Sequence, residues 1–325
     1  MKRLAPIVVF ASRRPKHLAK LISSLQANPE SKLSDLVIYV GGPLNPSHTS
    51  AFEETIRVAD QVSQFANVTV RVREEIRSGG SLIRFGIDEI LETSERLIVL
   101  EDDLVVHPAF LKYMNLALER YSNSEIVSQI SGWNFSRISG ESASQTYLFP
   151  ATTPWGWATW KRAWKSQGKV ELEDDFSWLT SHWLRVHKFN FNENYNTISI
   201  VEKIIDSGCD YYDAEWYLHC FRYSNLTLFP NISLVINNGF DGSGLNFTRQ
   251  LDWPQEFSKE QLIDFKFPQD EVRSHKYPEY IKGLTKWYRK TREIDFFTFQ
   301  RQRVKRKIHQ HRRYAKKGYY SLFSD

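Results

Sequence analysis

Cysteine is scarce. The 325 residues hold two, Cys209 and Cys220, too few for a disulfide framework or a zinc site. Both fall in or beside one helical pattern, so they read as packed, reduced thiols of a reducing compartment. Long apolar runs are missing too: no stretch approaches the roughly 20 residues that span a bilayer. The opening Met1-Lys2-Arg3-Leu4-Ala5-Pro6-Ile7-Val8-Val9-Phe10 has too short an apolar part for a secretory signal, and Ser12-Arg13-Arg14-Pro15 interrupts it. It reads as a first strand. His182, His187 and His219 are scattered and read as structural or surface residues. No internal repeat is found. These absences point to a cytoplasmic globular chain.

What is present fits that class: 41% hydrophobic and 25% charged residues, with aromatics high at 14%, including ten Trp. At this length one large domain with an extension is as expected as two domains. Trp and Tyr offer flat amphipathic faces, so part of the aromatic excess suits a carbohydrate or nucleotide cleft. Most of it fills a core.

The first 106 residues alternate strand and helix patterns. Strands are expected at Ile7 to Phe10, Leu36 to Val40, Val68 to Val72 and Leu97 to Leu100. Helices are expected at Pro15 to Leu25, Thr49 to Phe65 and from Ser78-Gly79-Gly80-Ser81 onward. That alternation implies βαβ units and a mostly parallel sheet flanked by helices. Residues 107 to 250 are less regular. Helices are expected after Pro108, at Ile198 to Ser207 and at Asp213 to Ser224, with short strands at Leu226 to Pro230 and Leu234 to Asn237. Pro154-Trp155-Gly156-Trp157 reads as a bent aromatic loop.

The most informative stretch is Arg96-Leu97-Ile98-Val99-Leu100-Glu101-Asp102-Asp103. A strand apolar on both faces runs into three consecutive carboxylates. Their repulsion and partial burial are costly, and a bound cation relieves such a site. With no Cys or His beside them, a hard ion such as Mg²⁺ or Mn²⁺ suits the cluster. Ligands of open α/β sheets bind at the carboxyl ends of strands, and a metal there would grip the diphosphate of a nucleotide-activated substrate.

Those residues resemble the metal motif of GT-A fold glycosyltransferases. More closely, the chain resembles the N-acetylglucosaminyltransferase I-like enzymes and bacterial nucleotide-diphospho-sugar transferases. Four blocks carry the likeness in order: Pro6 to Pro15, Leu97 to Tyr113, Pro154 to Trp160, and Ser233 to Gly242. The resemblance implies a GT-A glycosyltransferase domain over 1–250, with a nucleotide-binding part at about 1–106 and an acceptor part at about 107–250. It implies a metal-dependent, inverting transfer of a sugar from a nucleotide-diphospho-sugar, a UDP-sugar first, to a glycan or lipid-linked acceptor in surface polysaccharide or glycan synthesis.

Roles follow residue by residue from the same likeness. Asp103 would ligate the metal, with Asp102 beside it. Glu101 and Asp102 would reach the ribose, the metal's waters or the donor sugar. Ala11 and Arg14 would lie near the base or phosphates. Gly79, Gly80 and Arg84 would complete the nucleotide pocket, where a helix N-terminus also favours phosphate. Trp155, Gly156 and Trp157 would floor the sugar site. A His expected beyond the Gly-Phe-Asp-Gly loop is replaced by Asn246. For the general base, Asp213 leads, with Glu215 and Asp210 beside it and Asp174 and Asp175 in reserve; Asp213 reads equally as a helix cap.

The tail differs from the body. From Lys286 to Asp325 there are 13 Lys or Arg against 3 Asp or Glu, net +10, so residues 1–285 carry −5 of the chain's overall +5. The basic extension, 251–325, suits peripheral contact with an anionic inner membrane face, or it packs as a partly helical appendage. Two other readings weigh less. A nucleic-acid-binding module would spread its positive charge over the fold. A nucleotidyltransferase would show a glycine-rich loop after the first strand, where this chain has Ser12-Arg13-Arg14.

Overall fold

The computed structural model describes residues 3–135, 137, 141–167, 171–244, 250–251, 255–258, 260, 262, 264–272 and 277–321, the side chains of 277–278 and 315–321 excepted. Asn246 lies outside the described residues.

The first part builds β1 (Ile7–Ala11), α1 (Pro15–Gln26), β2 (Asp35–Gly41), α2 (Thr49–Asp60), β3 (Asn67–Arg73), α3 (Gly79–Thr93) and β4 (Arg96–Glu101). These strands pair in parallel in the order β3-β2-β1-β4. Period-2 alternation sorts their side chains. Ile7, Val9, Ile38 and Ile98 pack with Leu18, Leu21 and Leu25 of α1. Val8, Phe10, Val37, Leu97 and Val99 face the other way, onto Leu82, Ile83 and Ile87 of α3. Helices on both faces explain why β1, β2 and β4 are apolar on both sides, while the edge strand β3 alternates and is partly exposed. Pro15 opens α1 at its first turn, where the missing N–H costs nothing.

The remaining elements are β5 (Leu104–Val106), α4 (Phe110–Arg120), β6 (Val127–Ser131), β7 (Thr146–Phe149), β8 (Trp157–Trp160), α5 (Lys161–Gln167), α6 (Leu172–Thr180), α7 (Trp183–Phe189), α8 (Ile198–Ser207), α9 (Tyr212–Arg222), β9 (Leu226–Pro230), β10 (Val235–Asn237), α10 (Tyr277–Arg292) and α11 (Phe296–Ser321). β8 joins β4 antiparallel, and β6, β9 and β7 extend the sheet to eight strands. The sheet is mixed and mostly parallel, as the alternation implied. The chain runs outward from β1 to β3, then returns to place β4 on the other side of β1. That reversal makes a switch point between β1 and β4, and their carboxyl ends open a crevice there.

A second apolar cluster lies under α6 to α9, with Phe149, Val186, Phe189, Val201 and Leu218 at its centre. The basic tail is part of it: Tyr280 and Leu284 of α10 and Tyr314 of α11 are buried in this cluster. The extension is therefore packed, and removing it would uncover core.

Trp157 departs from its expected place. It opens β8, is 1% exposed, and its ring lies 6.0 Å from Trp164 and 6.2 Å from Trp216. It is core. Trp157→Ala should therefore cost about 3–5 kcal/mol of stability, read as a lowered midpoint in urea. An unchanged midpoint would return Trp157 to the ligand side.

Candidate active site

The crevice at the switch point is a cleft of about 480 Å³. The register Phe10↔Glu101 sets the ends of β1 and β4 level. Beyond β1 the chain delivers Arg14, and beyond β4 it delivers Asp102 and Asp103. Arg14 bridges the two: one guanidinium nitrogen donates to Asp103 Oδ2 at 3.0 Å, the other to Asp102 Oδ1. Asp102 is only 3% exposed, so this pairing is what makes a buried carboxylate tolerable.

The electrostatics follow. Burial, together with neighbouring Asp103, drives the Glu101 carboxyl well above its ordinary range. Burial pushes Asp102 up to about 6, against the opposing pull of Arg14. Burial alone would depress Arg14, yet Asp102 and Asp103 outweigh it and hold the guanidinium above its ordinary range.

The other walls come from distant segments. β5 and β10 form an antiparallel ribbon, and the turn after β10 reaches Asp103, whose carbonyl accepts from Asn238 N at 2.7 Å. Gly239 is glycine for a local reason: a Cβ there would sit 2.2 Å from Asp103 Oδ2. Its N–H donates to Asn237 Oδ1 at 2.7 Å. The same turn is tied across the cleft mouth, His17 to Asp241 at 3.1 Å and Arg13 to the Ser243 carbonyl at 3.4 Å. The sequence reading noticed this block and gave Asn237, Gly239 and Asp241 no role. The signal was the run Asn237-Asn238-Gly239, a turn composition beside a carboxylate motif.

The expected acidic trio divides. Asp210 accepts from the Ser78 hydroxyl, from Ser81 N at 2.5 Å and the Ser81 hydroxyl at 2.8 Å, and from Arg84. Burial opposes its ionisation, but these hydrogen bonds hold it below the ordinary carboxylate range. It is a poor proton acceptor, and it fills the α3 N-terminus that sequence reading left for phosphate. Glu215 pairs with Arg84 at 3.2 Å and does not line the cleft. Asp213 does line it, in the first turn of α9. Burial raises its pKa, against backbone N–H groups of that turn.

Of the expected residues, the cleft gathers Ala11, Arg14, Gly79, Gly80, Glu101, Asp102, Asp103, Trp155, Asp210 and Asp213. Arg84, Glu215, Gly156 and Trp157 stand behind it. Gly156 has φ +65° and turns the chain from Trp155 in the wall to Trp157 in the core. Trp155 is half-buried, its ring edge-on to Trp133 at 4.4 Å and Phe240 at 5.7 Å. Of the reserve bases, Asp175 is buried against Arg222 at 2.5 Å, and Asp174 is exposed outside the cleft. The three scattered histidines stand outside the cleft: His182 caps α7, His187 meets Glu193 at 3.1 Å and His219 meets Ser166 at 2.9 Å.

Among the described residues, no group of three or more His, Cys, Asp or Glu stands ready to cage a metal. The donor set fits a different arrangement. A Mg²⁺-like ion needs only one or two carboxylates when phosphate oxygens and water complete its shell; Asp103 and Asp102, both lining the cleft, would be the ones to offer them.

No protein-family model and no curated protein matches the sequence. Solved structures similar in fold include residues 1–349 of S. aureus TarS, at 12% identity and TM-score 0.34, covering 50% of this chain and 49% of that one. The chain thus spans about half that structure's length. The mannosyltransferase PcManGT from Pyrobaculum calidifontis, in complex with GDP-Man and Mn²⁺, aligns at 10% identity and TM-score 0.36, over 69% of this chain and 70% of that one. A Bacillus anthracis protein described as a glucose-1-phosphate thymidylyltransferase aligns at 10% and 0.31, over 51% and 76%. Likeness at this level transfers no function, and the chemistry has to come from the site.

Two measurements probe this geometry. Folding raises the Asp102 pKa from its ordinary 3.8 to about 6, so the folded state keeps a proton that the unfolded chain releases. Its contribution to stability therefore falls as pH rises through that window. Asp102→Asn should gain on the parent by about 1–3 kcal/mol between pH 4 and 7 in metal-free buffer; parallel urea profiles would refute the assignment. Gly239→Ala should displace Asp103 and weaken divalent-ion binding at least about tenfold, a loss of about 1.4 kcal/mol, with the fold kept; unchanged ion binding by calorimetry would count against the contact.

Proposed function

We propose that this protein is a metal-assisted, inverting glycosyltransferase. It would move a sugar from a nucleotide-diphospho-sugar, a UDP-sugar first, to a hydroxyl of a glycan or lipid-linked acceptor in surface polysaccharide or glycan synthesis. The observation that carries this reading is the convergence of Arg14, Asp102 and Asp103 with Asp213 in one cleft at the β1/β4 switch point.

The residues divide the work. Asp103, with Asp102, would hold Mn²⁺ or Mg²⁺, which supplies Lewis-acid neutralisation of the departing diphosphate. Arg14 keeps two carboxylates together and offers positive charge to the phosphates. Glu101, whose carboxyl is driven upward by burial and Asp103, lies in the cleft wall within reach of a ribose or sugar hydroxyl as a hydrogen-bonding group. Trp155 presents an aromatic face to the sugar. Asp213 accepts the proton of the acceptor hydroxyl as it attacks, and a raised pKa improves a carboxylate for that task.

Asp103→Ala should abolish metal-dependent donor binding and transfer while the melting temperature holds. Full transfer in this variant, across a panel of nucleotide sugars with and without Mn²⁺, would end the metal assignment. Asp213→Asn should retain donor binding and lose about 10²-fold or more in transfer. Wild-type rates there would move the base elsewhere.

A further inference from the structure

Helix α11 has two faces of opposite character. Its inner face is anchored: Phe299 is 0% and Tyr314 3% exposed. Arg303 and Arg306 donate to the backbone carbonyls of Asn192 at 3.1 Å and Glu193 at 2.8 Å, and the Tyr314 hydroxyl donates to Glu202 at 2.9 Å. Its outer face carries Phe297, Val304 and Ile308, exposed at 75%, 57% and 48%. Spacings of seven and four residues put these three on one stripe, directly opposite Phe299 and Arg306. Arg301, Lys305 and Arg312 flank the stripe on one side and Lys307 on the other, all exposed.

A solvated helix has no use for an apolar stripe on its most exposed line. A nucleic-acid face uses cations and gains little from Val and Ile. An apolar centre between two cationic margins is the pattern of a helix lying in a bilayer interface. No helix among the described residues is long and apolar enough to cross a membrane. We infer that the outer face of α11 docks on an anionic lipid bilayer. Phe297, Val304 and Ile308 enter the headgroup–acyl boundary, and Arg301, Lys305, Lys307 and Arg312 sit at headgroup level with their stems along the apolar edge. The charge division fits, since the −5 body is then the part turned away from the negative surface. The inference uses nothing in the cleft, so it stands or fails separately from the transferase reading.

Truncation is a poor test, because it would strip Phe299 and Tyr314 from the core. Surface substitutions in the full chain avoid that. Co-sedimentation with phosphatidylcholine vesicles, with and without phosphatidylserine, is the measurement. The parent should bind only the anionic vesicles. Phe297→Ser with Val304→Ser and Ile308→Ser should weaken binding at least tenfold. Arg301→Gln with Lys305→Gln and Arg312→Gln should weaken it roughly fivefold per cation at low salt, less at high salt. Both triple variants should keep the parent's melting temperature. Binding that ignores phosphatidylserine, or an apolar variant that sediments like the parent, would overturn the inference. So would tight binding of duplex DNA that survives loss of the apolar stripe, which would make the face a nucleic-acid site.

Discussion

The clasp of Arg14 on Asp102 and Asp103 is the constraint from which the site is built. Three consecutive carboxylates at the end of a buried strand repel one another, and burial compounds the cost. Arg14 reaches them because β1 and β4 are parallel neighbours in register. That adjacency exists only because the chain reverses direction across the sheet at this point. The same residue precedes α1, so the positive end of a helix lies beside the negative cluster. Removing Arg14 would leave both carboxylates uncompensated, a cost of about 3–5 kcal/mol, whereas losing one carboxylate leaves Arg14 the other and relieves repulsion; topology, charge and cleft are thus fixed together.

A second clasp follows the same logic across the cleft. Asp210 takes the Ser78 hydroxyl, the Ser81 N–H and hydroxyl, and Arg84, tying the segment before α9 to the start of α3. Gly80 permits it, since a Cβ would fall 2.3 Å from Asp210 Oδ1. Three carboxylates within six residues thereby acquire different chemistry. Asp210, rich in donors, is held ionised; Asp213 and Glu215 are raised by burial. Of the two raised groups only Asp213 lines the cleft, and Glu215 is spoken for by Arg84.

The first half of the fold was legible because its signals are local. Apolar runs, glycine turns and a helix-opening Pro15 mark β1 to β4 with errors of a residue or two, apart from α2, which stops at Asp60 rather than Phe65. The acidic triplet was legible because like charges after a buried strand are unusual. β6, β7 and β8 were missed. Their residues, such as Ser128, Gln129, Thr146 and Thr159, are polar yet buried, satisfied by tertiary hydrogen bonds like that of Gln129 to the Thr153 carbonyl at 2.7 Å. No sequence window displays such partners. Trp155 and Trp157 are one glycine apart and identical in type. Only the positive φ of Gly156 sends one to the cleft and the other to the core.

Charge alone does not say how the tail is held. Its positive side chains point two ways: Arg303 and Arg306 inward onto backbone carbonyls, Lys305 and Lys307 outward. The inward set fastens α11 to the turn after α7. Meanwhile Trp287 of α10 lies 5.8 Å from Trp155, edge-on behind the cleft wall, and Phe135 bridges to Tyr280 at 5.3 Å. Such aromatic contacts contribute about 0.5–1.5 kcal/mol each beyond the area they bury. Packing therefore runs from α11 through α10 to Trp155 in the cleft wall. A surface gripping the outer stripe of α11 would hold the cleft at a set orientation, because α11's inner face packs into the second core and Trp287 of α10 packs from that core onto Trp155.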